Sequence, residues 1–250
     1  IALGFTKASK GEIVFSPRLG ATRPEALRRT GFLPERPYFY PHLTGREFST
    51  FMGCLSGMKR SAIDGQALKL GERLGIAHAL DRPLRTYSKG MLQRLGFLVA
   101  IQHNPELVIL DEPLSGLDPV ARKELKDLIG ELHREGKTVF FSTHIVSDVE
   151  LTCDNVIFLR GGKLVYQGGV RQLLEKNPAL SFRVVLRSAD DLTWKTPTLG
   201  SSRVGTTLMV KVDAANKDEF VREVSRSSAS LISLSSEGTT LEEIFYGAGQ

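Results

Sequence analysis

Two adjacent carboxylates, Asp111 and Glu112, follow the apolar run Leu107-Val108-Ile109-Leu110 and are closed by Pro113. A run of this length suits a strand covered on both faces of a parallel sheet. The C-terminal end of such a strand is where open α/β sheets bind ligands. There the first acid can hold Mg²⁺ and the second can aim or deprotonate a water, the equipment of a phosphate-cleaving site. A strand that merely ends in two solvated acids accounts for the same residues, so the neighbours decide. Upstream, Tyr87-Ser88-Lys89-Gly90-Met91-Leu92-Gln93-Arg94 joins a hydroxyl residue, a glycine and a helix start. The free N–H groups and positive dipole end of a helix start favour phosphate, although a routine capped helix is the plainer explanation. Directly downstream, Leu114-Ser115-Gly116-Leu117-Asp118-Pro119 offers a tight glycine turn and an acid able to cap the next helix. Ser142-Thr143-His144 then sets an imidazole at the end of the following strand, within reach of a phosphate bound at the same sheet edge.

Positioning these groups requires a particular order of elements. Residues 12–15 read as a strand, and Thr30-Gly31-Phe32-Leu33 as another, stopped by Pro34. Thr44 and Glu47 have capping-box spacing and open a helix running to about Leu55. Ala67, Leu68, Gly71 and Leu74 share one face of a second helix, so residues 44–87 read as a mostly helical insert. Ser88 caps a helix with the stripe Leu92, Leu95, Val99 and Ala100, ended by Asn104-Pro105. Ala121, Leu125, Leu128, Ile129 and Leu132 recur at helical spacing up to Gly136, and residues 138–143 read as the next buried strand. A helix between two buried strands is the grammar of a parallel sheet. Farther on, residues 156–159 and 164–166 flank Gly161-Gly162 as a hairpin, and Gly168-Gly169 marks a boundary. Alternation at Phe182, Val184, Leu186 and at Leu208, Val210, Val212, a capping-box spacing from Asn216 to Glu219, and a last strand at Leu231-Ile232 describe a small α+β tail of roughly 75 residues.

Composition sets the outer bounds. The 250 residues are 41% hydrophobic and 24% charged, ordinary globular values with room for one large domain and a small appendage. The formal charge of +5 is spread along the chain without a Lys/Arg tract, so nucleic acid is not indicated as a partner. Cys54 and Cys153 lie far apart with no metal spacing and read as reduced thiols. No run of 18 apolar residues is present.

The segments S-K-G-M-L-Q-R, L-V-I-L-D-E-P-L-S-G-L-D-P and F-F-S-T-H-I, in this order and with these gaps, resemble the ATP-binding cassette (ABC) family: its signature, Walker B strand, D-loop and switch histidine. The resemblance covers residues 87–144, continues through the hairpin to 168, and reaches back to the Q-loop strand at Gly31-Phe32-Leu33-Pro34-Glu35. Thr240-Leu241-Glu242-Glu243-Ile244-Phe245 resembles the end of the C-terminal extension of bacterial ABC-2-type exporter ATPases. The resemblance implies an α/β, P-loop NTPase-like fold: a mostly parallel sheet flanked by helices, a helical insert and a small C-terminal α+β domain. Its domains would be an ATPase core at 1–43 and 88–170, a helical subdomain at 44–87 and an accessory domain at 175–250.

By position, the family pattern implies that Asp111 helps hold Mg²⁺, Glu112 polarises the attacking water and His144 senses the γ-phosphate. Ser88 and Gly90, with Lys89 and Met91 beside them, would face ATP bound to a second ATPase subunit, and Asp118 would work across that dimer interface. Glu35 would lie on the loop linking nucleotide to an integral-membrane permease. The protein would bind and hydrolyse ATP in the cytoplasm, peripheral to the inner face of the plasma membrane. Tyr38-Phe39-Tyr40 suit either permease docking or the core. Two departures stand out: the signature is Tyr87-Ser88-Lys89-Gly90-Met91 rather than L-S-G-G-Q, and Glu35 replaces the Q-loop glutamine. G-x-x-x-x-G-K-[ST] occurs nowhere in the 250 residues. Residues 1–5 are therefore expected to be the tail of the helix that follows that loop, with the loop itself upstream. The remaining readings are a non-hydrolysing regulatory module and a soluble ABC ATPase without a permease.

Overall fold

The computed structural model of the chain describes residues 1–176, 181–188, 190, 192–237 and 240–246. It divides into two compact units, residues 1–144 and 145–250.

The first unit is built on three parallel strands, β1 (Thr30–Leu33), β2 (Leu107–Asp111) and β3 (Thr138–Ser142), in the order β1-β2-β3. A short helix α1 (Arg23–Arg28) leads into β1. Between β1 and β2 lie α2 (Gly45–Leu55), α3 (Arg60–Arg73) and α4 (Lys89–Ile101); α5 (Pro119–Arg134) joins β2 to β3. The register pairs Leu110 with Phe141 and Asp111 with Ser142, so both strands end at one edge.

Close packing fixes α4 on β1. A Cβ at Gly31 would overlap the Ala100 carbonyl, and one at Gly96 would stand 2.7 Å from Leu33 Cδ1. Only glycine lets the helix backbone come this near the strand. Leu33, Val108 and Leu110 from the sheet, Leu95, Phe97 and Leu98 from α4, Leu125, Leu128 and Ile129 from α5, and Phe48 and Leu70 from α2 and α3 form one buried cluster. Each such side chain contributes about 1.5–3 kcal/mol through burial.

The helical insert of residues 44–87 starts with the expected capping box, Thr44 and Glu47 bonding each other's backbone N–H. Arg46 bridges α2 to Asp64 and Asp81. A buried reciprocal pair ties α2 to α4: Ser49 Oγ donates to Gln102 Oε1 at 2.6 Å, and Gln102 Nε2 donates to the Ser49 carbonyl at 3.0 Å.

Several expectations are corrected. Residues 12–15 form no strand; Ile13 and Val14 are exposed, and among the described residues no strand pairs with them. Strand propensity without a hydrogen-bonded neighbour does not make a strand. Residues 1–5 form turns, not a helix tail, with Phe5 against Phe32 at 5.8 Å between ring centres. Leu68 is exposed: the inward face of α3 is Ile63, Ala67, Leu70 and Gly71, and a step of one residue past Ala67 rotates Leu68 about 100° away. Strand β3 is not buried on both faces. Val139 and Phe141 pack inward while Phe140, whose side chain points to the opposite face of the strand, is 54% exposed.

The second unit holds α6 (Val146–Thr152), the hairpin β4 (Asn155–Arg160) and β5 (Lys163–Gly169), and α7 (Val170–Lys176). It continues with β6 (Ser181–Arg187), β7 (Gly200–Val204), β8 (Thr207–Asp213), α8 (Lys217–Ser225), β9 (Ser230–Glu237) and α9 (Leu241–Tyr246). Gly161 and Gly162 take φ of 57° and 74°, the two positive values of a tight hairpin turn. Gly168 and Gly169 end β5, and α7 follows at once. An antiparallel sheet in the order β7-β8-β6-β9 packs Val184, Leu186, Leu208, Val210 and Val212 against Phe220 and Val224 of α8. The capping box expected at Asn216 is absent; α8 leaves a 3-10 turn that Asp213 caps instead. Leu241 and Phe245 of α9 return to the hairpin, where Phe245 stacks on Phe158 at 3.9 Å. The last four residues of the span 175–250 lie outside the described residues.

Candidate active site

Because β2 and β3 are parallel and in register, Asp111 and Ser142 end side by side, and Glu112 and His144 follow just beyond. Ser142 Oγ donates to Asp111 Oδ1 at 2.5 Å and accepts the Glu112 N–H at 3.0 Å. Glu112 Oε1 lies 2.9 Å from His144 Nδ1, which donates when that nitrogen carries the proton. Glu112 is 21% exposed in its side chain and the His144 ring 71%. The Glu112 backbone has φ of 48°, a left-handed conformation that a residue with a Cβ rarely adopts. The turn behind it is closed by the Ser115 N–H donating to the Glu112 carbonyl at 3.1 Å.

The first turn of α4 leans on the loop that leaves this cluster. Gln93, buried, donates through Nε2 to the Pro113 carbonyl at 3.1 Å. Gly116 has φ of 70°, and a Cβ there would meet Lys89 Nζ at 2.7 Å, so the lysine stem lies along the glycine turn. Ser88 caps α4 by accepting the Met91 N–H at 3.3 Å. The preceding residue, Tyr87, is buried and donates to the Ala79 carbonyl at 2.6 Å, which anchors the loop to the helical insert; burial raises its hydroxyl pKa. Ser88 and Lys89 are exposed, Gly90 and Met91 half-buried. Glu35 is exposed after β1, 3.9 Å from Arg36. The structure thus gathers Asp111, Glu112 and His144 at one edge. It sets Ser88, Lys89, Gly90 and Met91 on the start of α4, and leaves Glu35 on its own loop. Ser142 and Gln93 belong to the constellation without having been singled out from sequence. A polar Gln93 next to the stripe Leu92 and Leu95 was the available signal for the second.

Asp118 caps α5 by accepting the N–H groups of Val120 and Ala121, both at 3.0 Å. The bond from Ala121, joined by the bond from Val120 and the charge of Arg94, holds its carboxyl below the usual aspartate range. A folded-state pKa below the unfolded value stabilises the fold above the ordinary aspartate value of about 3.9, and this support fades as pH falls through the depressed value. Asp118→Ala is therefore expected to melt below the unaltered protein at pH 7, with the gap shrinking towards pH 3. Thermal melts across that range check it; a gap that stays constant refutes the ionic part of the cap.

As to what the site can hold, Asp111 offers an exposed carboxylate whose Oδ1 is partly engaged by Ser142, a hard oxygen donor that suits Mg²⁺. Among the described residues no three His, Cys, Asp or Glu side chains form a ready cage. A divalent ion at Asp111 would draw its other oxygens from water and a nucleotide, the usual arrangement for Mg²⁺.

Comparison with known proteins places this edge in a family. A family model described as "AAA domain, putative AbiEii toxin, Type IV TA system" matches residues 72–147. The uncharacterized ABC transporter ATP-binding protein YdbJ of Bacillus subtilis (strain 168) is 34% identical over 99% of this chain and 80% of its own length. The chain belongs to the ATP-binding proteins of ABC transporters. The bacitracin transport ATP-binding protein BcrA of Bacillus licheniformis is 38% identical over 70% of this chain and 57% of that protein. A solved ATP-binding subunit of an ABC transporter superposes with a TM-score of 0.62 at 25% identity, over 70% of this chain and 73% of that one. The chain spans about half the length of several curated relatives it matches, 54%, 44% and 54% of them. As an ABC ATP-binding protein it has the α/β architecture described above, and no described helix is long and apolar enough to cross a membrane.

Proposed function

We propose that this chain binds and hydrolyses ATP to drive an integral-membrane permease, lying against the inner face of the plasma membrane and working as a dimer. The observation that carries the reading is the bonded cluster of Asp111, Ser142, Glu112 and His144 at two adjacent strand ends in a member of this family. Similarity to a bacitracin transport ATP-binding protein supports a role in transport.

Mg²⁺ bound with the nucleotide would neutralise charge on the phosphate oxygens. Asp111 holds that end of the site. Glu112 accepts a proton from the water that attacks the γ-phosphate, and His144, tied to Glu112 through Nδ1, presents its other ring nitrogen to the phosphoryl group. Ser88, Lys89, Gly90 and Met91 face the nucleotide of a second copy, and Asp118 stands at the start of α5 beside that contact. Glu35 lies on the loop that reports the site to the permease. We assign the core to 1–43 and 88–170, the helical subdomain to 44–87 and the accessory domain to 175–250.

The permease would dock on an exposed aromatic row: Tyr38 is 80% exposed, edge-on to Tyr40 at 5.7 Å, which is in turn edge-on to Phe51 at 6.0 Å. Phe39 turns the other way and packs on Phe48 at 5.1 Å, so one run of three aromatics serves both surface and core.

The test is phosphate release by the full-length protein purified with its membrane partner. Release that needs both ATP and Mg²⁺ is expected, together with loss of the membrane partner on Tyr38→Ala/Tyr40→Ala. Background release under all conditions overturns the hydrolase reading, and co-purification with nucleic acid in place of a membrane protein overturns the transport reading.

A further inference from the structure

Ser142, the last residue of β3, and His144, two residues beyond it, each engage one member of the acid couple: Ser142 engages Asp111 and His144 engages Glu112. The serine does more than pair with its register partner. Its single hydroxyl donates to the Asp111 carboxylate and accepts the backbone N–H of Glu112. A hydroxyl has one proton and two lone pairs, so both bonds form at once. The second bond acts on the residue whose φ of 48° needs outside support, since an L side chain holds such a conformation only when its surroundings fix it. One atom of β3 thereby sets the plane of the Asp111 carboxylate and the direction in which Glu112 leaves the strand.

We infer that Ser142 is a positioning residue for ATP hydrolysis, orienting Asp111 towards the metal and Glu112 towards the water through its bridging hydroxyl. This rests on the ATPase reading above. Ser142 touches neither the nucleotide nor the metal in this role. Removing the hydroxyl frees the Asp111 carboxylate to rotate and leaves the Glu112 N–H without its acceptor, so affinity for the metal and the rate of the chemical step fall together. Threonine keeps the hydroxyl and is expected to keep the bridge.

The experiment compares the unaltered full-length protein with Ser142→Ala, Ser142→Thr and Glu112→Gln. Two quantities are read: steady-state phosphate release against ATP concentration, and Mn²⁺ affinity by electron paramagnetic resonance in the presence of a non-hydrolysable ATP analogue. Ser142→Ala is expected to lower kcat and to weaken Mn²⁺ binding, each by about ten-fold or more, the range set by groups that orient a metal ligand. KM for ATP should move less than either, and Ser142→Thr should recover most of both losses. Unchanged kcat and unchanged Mn²⁺ affinity in Ser142→Ala overturn the proposal. Equal losses in the alanine and threonine variants, with a matching fall in melting temperature, also overturn it, because they indicate a packing role. If Glu112→Gln turns over ATP as fast as the unaltered protein, the ATPase reading itself fails. The Mn²⁺ arm separates that case from a failure confined to Ser142.

Discussion

Glu112→Gln should cut ATP turnover by about a hundred-fold or more, the range lost when a positioned general base is removed. The amide has the same shape and can stay close to His144 Nδ1, so the loss isolates the charge and basicity of one group. On the proposed roles binding should survive, because the carboxylate would act on the attacking water, whereas Ser88 and Gly90, proposed to contact nucleotide, stand at the start of α4. The check is phosphate release under saturating ATP beside equilibrium nucleotide binding on the same preparation. A variant that binds ATP and turns it over at a tenth of the natural rate or faster would remove Glu112 from the proposed chemistry. The left-handed backbone at this residue sharpens the comparison, since glutamine meets the same conformational demand as glutamate and adds no new strain.

The second large effect lies far from the chemistry. Gly31→Ala is expected to destabilise the first unit by about 3 kcal/mol or more, the upper range for overpacking a close-packed site. The added methyl would overlap the Ala100 carbonyl and stand 3.0 Å from the Ala100 carbonyl carbon and 3.1 Å from Pro105 Cγ. The Ala100 backbone and the stiff Pro105 ring cannot swing away as a flexible side chain can, so β1 and α4 must part. Against a total stability of roughly 5–15 kcal/mol this is a large share, and the melting temperature should fall by about 10 °C. The loop carrying Glu35 leaves β1 directly, so its position should shift as well. A Gly31→Ala protein that melts within a couple of degrees of the parent would show that α4 does not press on β1 as described.

Legibility from sequence followed periodicity. The five-residue stripe of α5, Ala121, Leu125, Leu128, Ile129 and Leu132, is the set that is buried, because a helix of four turns repeats its signal often enough to be unambiguous. Thr44 and Glu47 announced α2 for a similarly local reason: the capping box is made within four residues. Asn216 and Glu219 have the same spacing and form no such box, since Asp213 had already started a turn that the helix continues. Spacing alone does not say which of two nearby caps wins. Residues 12–15 carry strand-forming side chains but no described partner strand, and Leu68 lies one residue off the face its neighbours share. At the site, Asp111 and Glu112 were readable because they end an apolar run, and His144 because an imidazole stands out just past the end of the next one. Ser142 was not, because its role depends on the register between β2 and β3, which no local pattern encodes. Gln93 likewise acts through a carbonyl 20 residues away in sequence.

The unusual torsion at residue 112 also says something about inheritance. Glycine or asparagine would rest there more easily than glutamate, so the acid is held against the preference of its own backbone. If Glu112 is the proposed base, drift in descendants that no longer hydrolyse ATP should replace this position early, while the stripe of α5 persists for the sake of folding. Under that proposal, the identity of this one amino acid would sort working copies from relics.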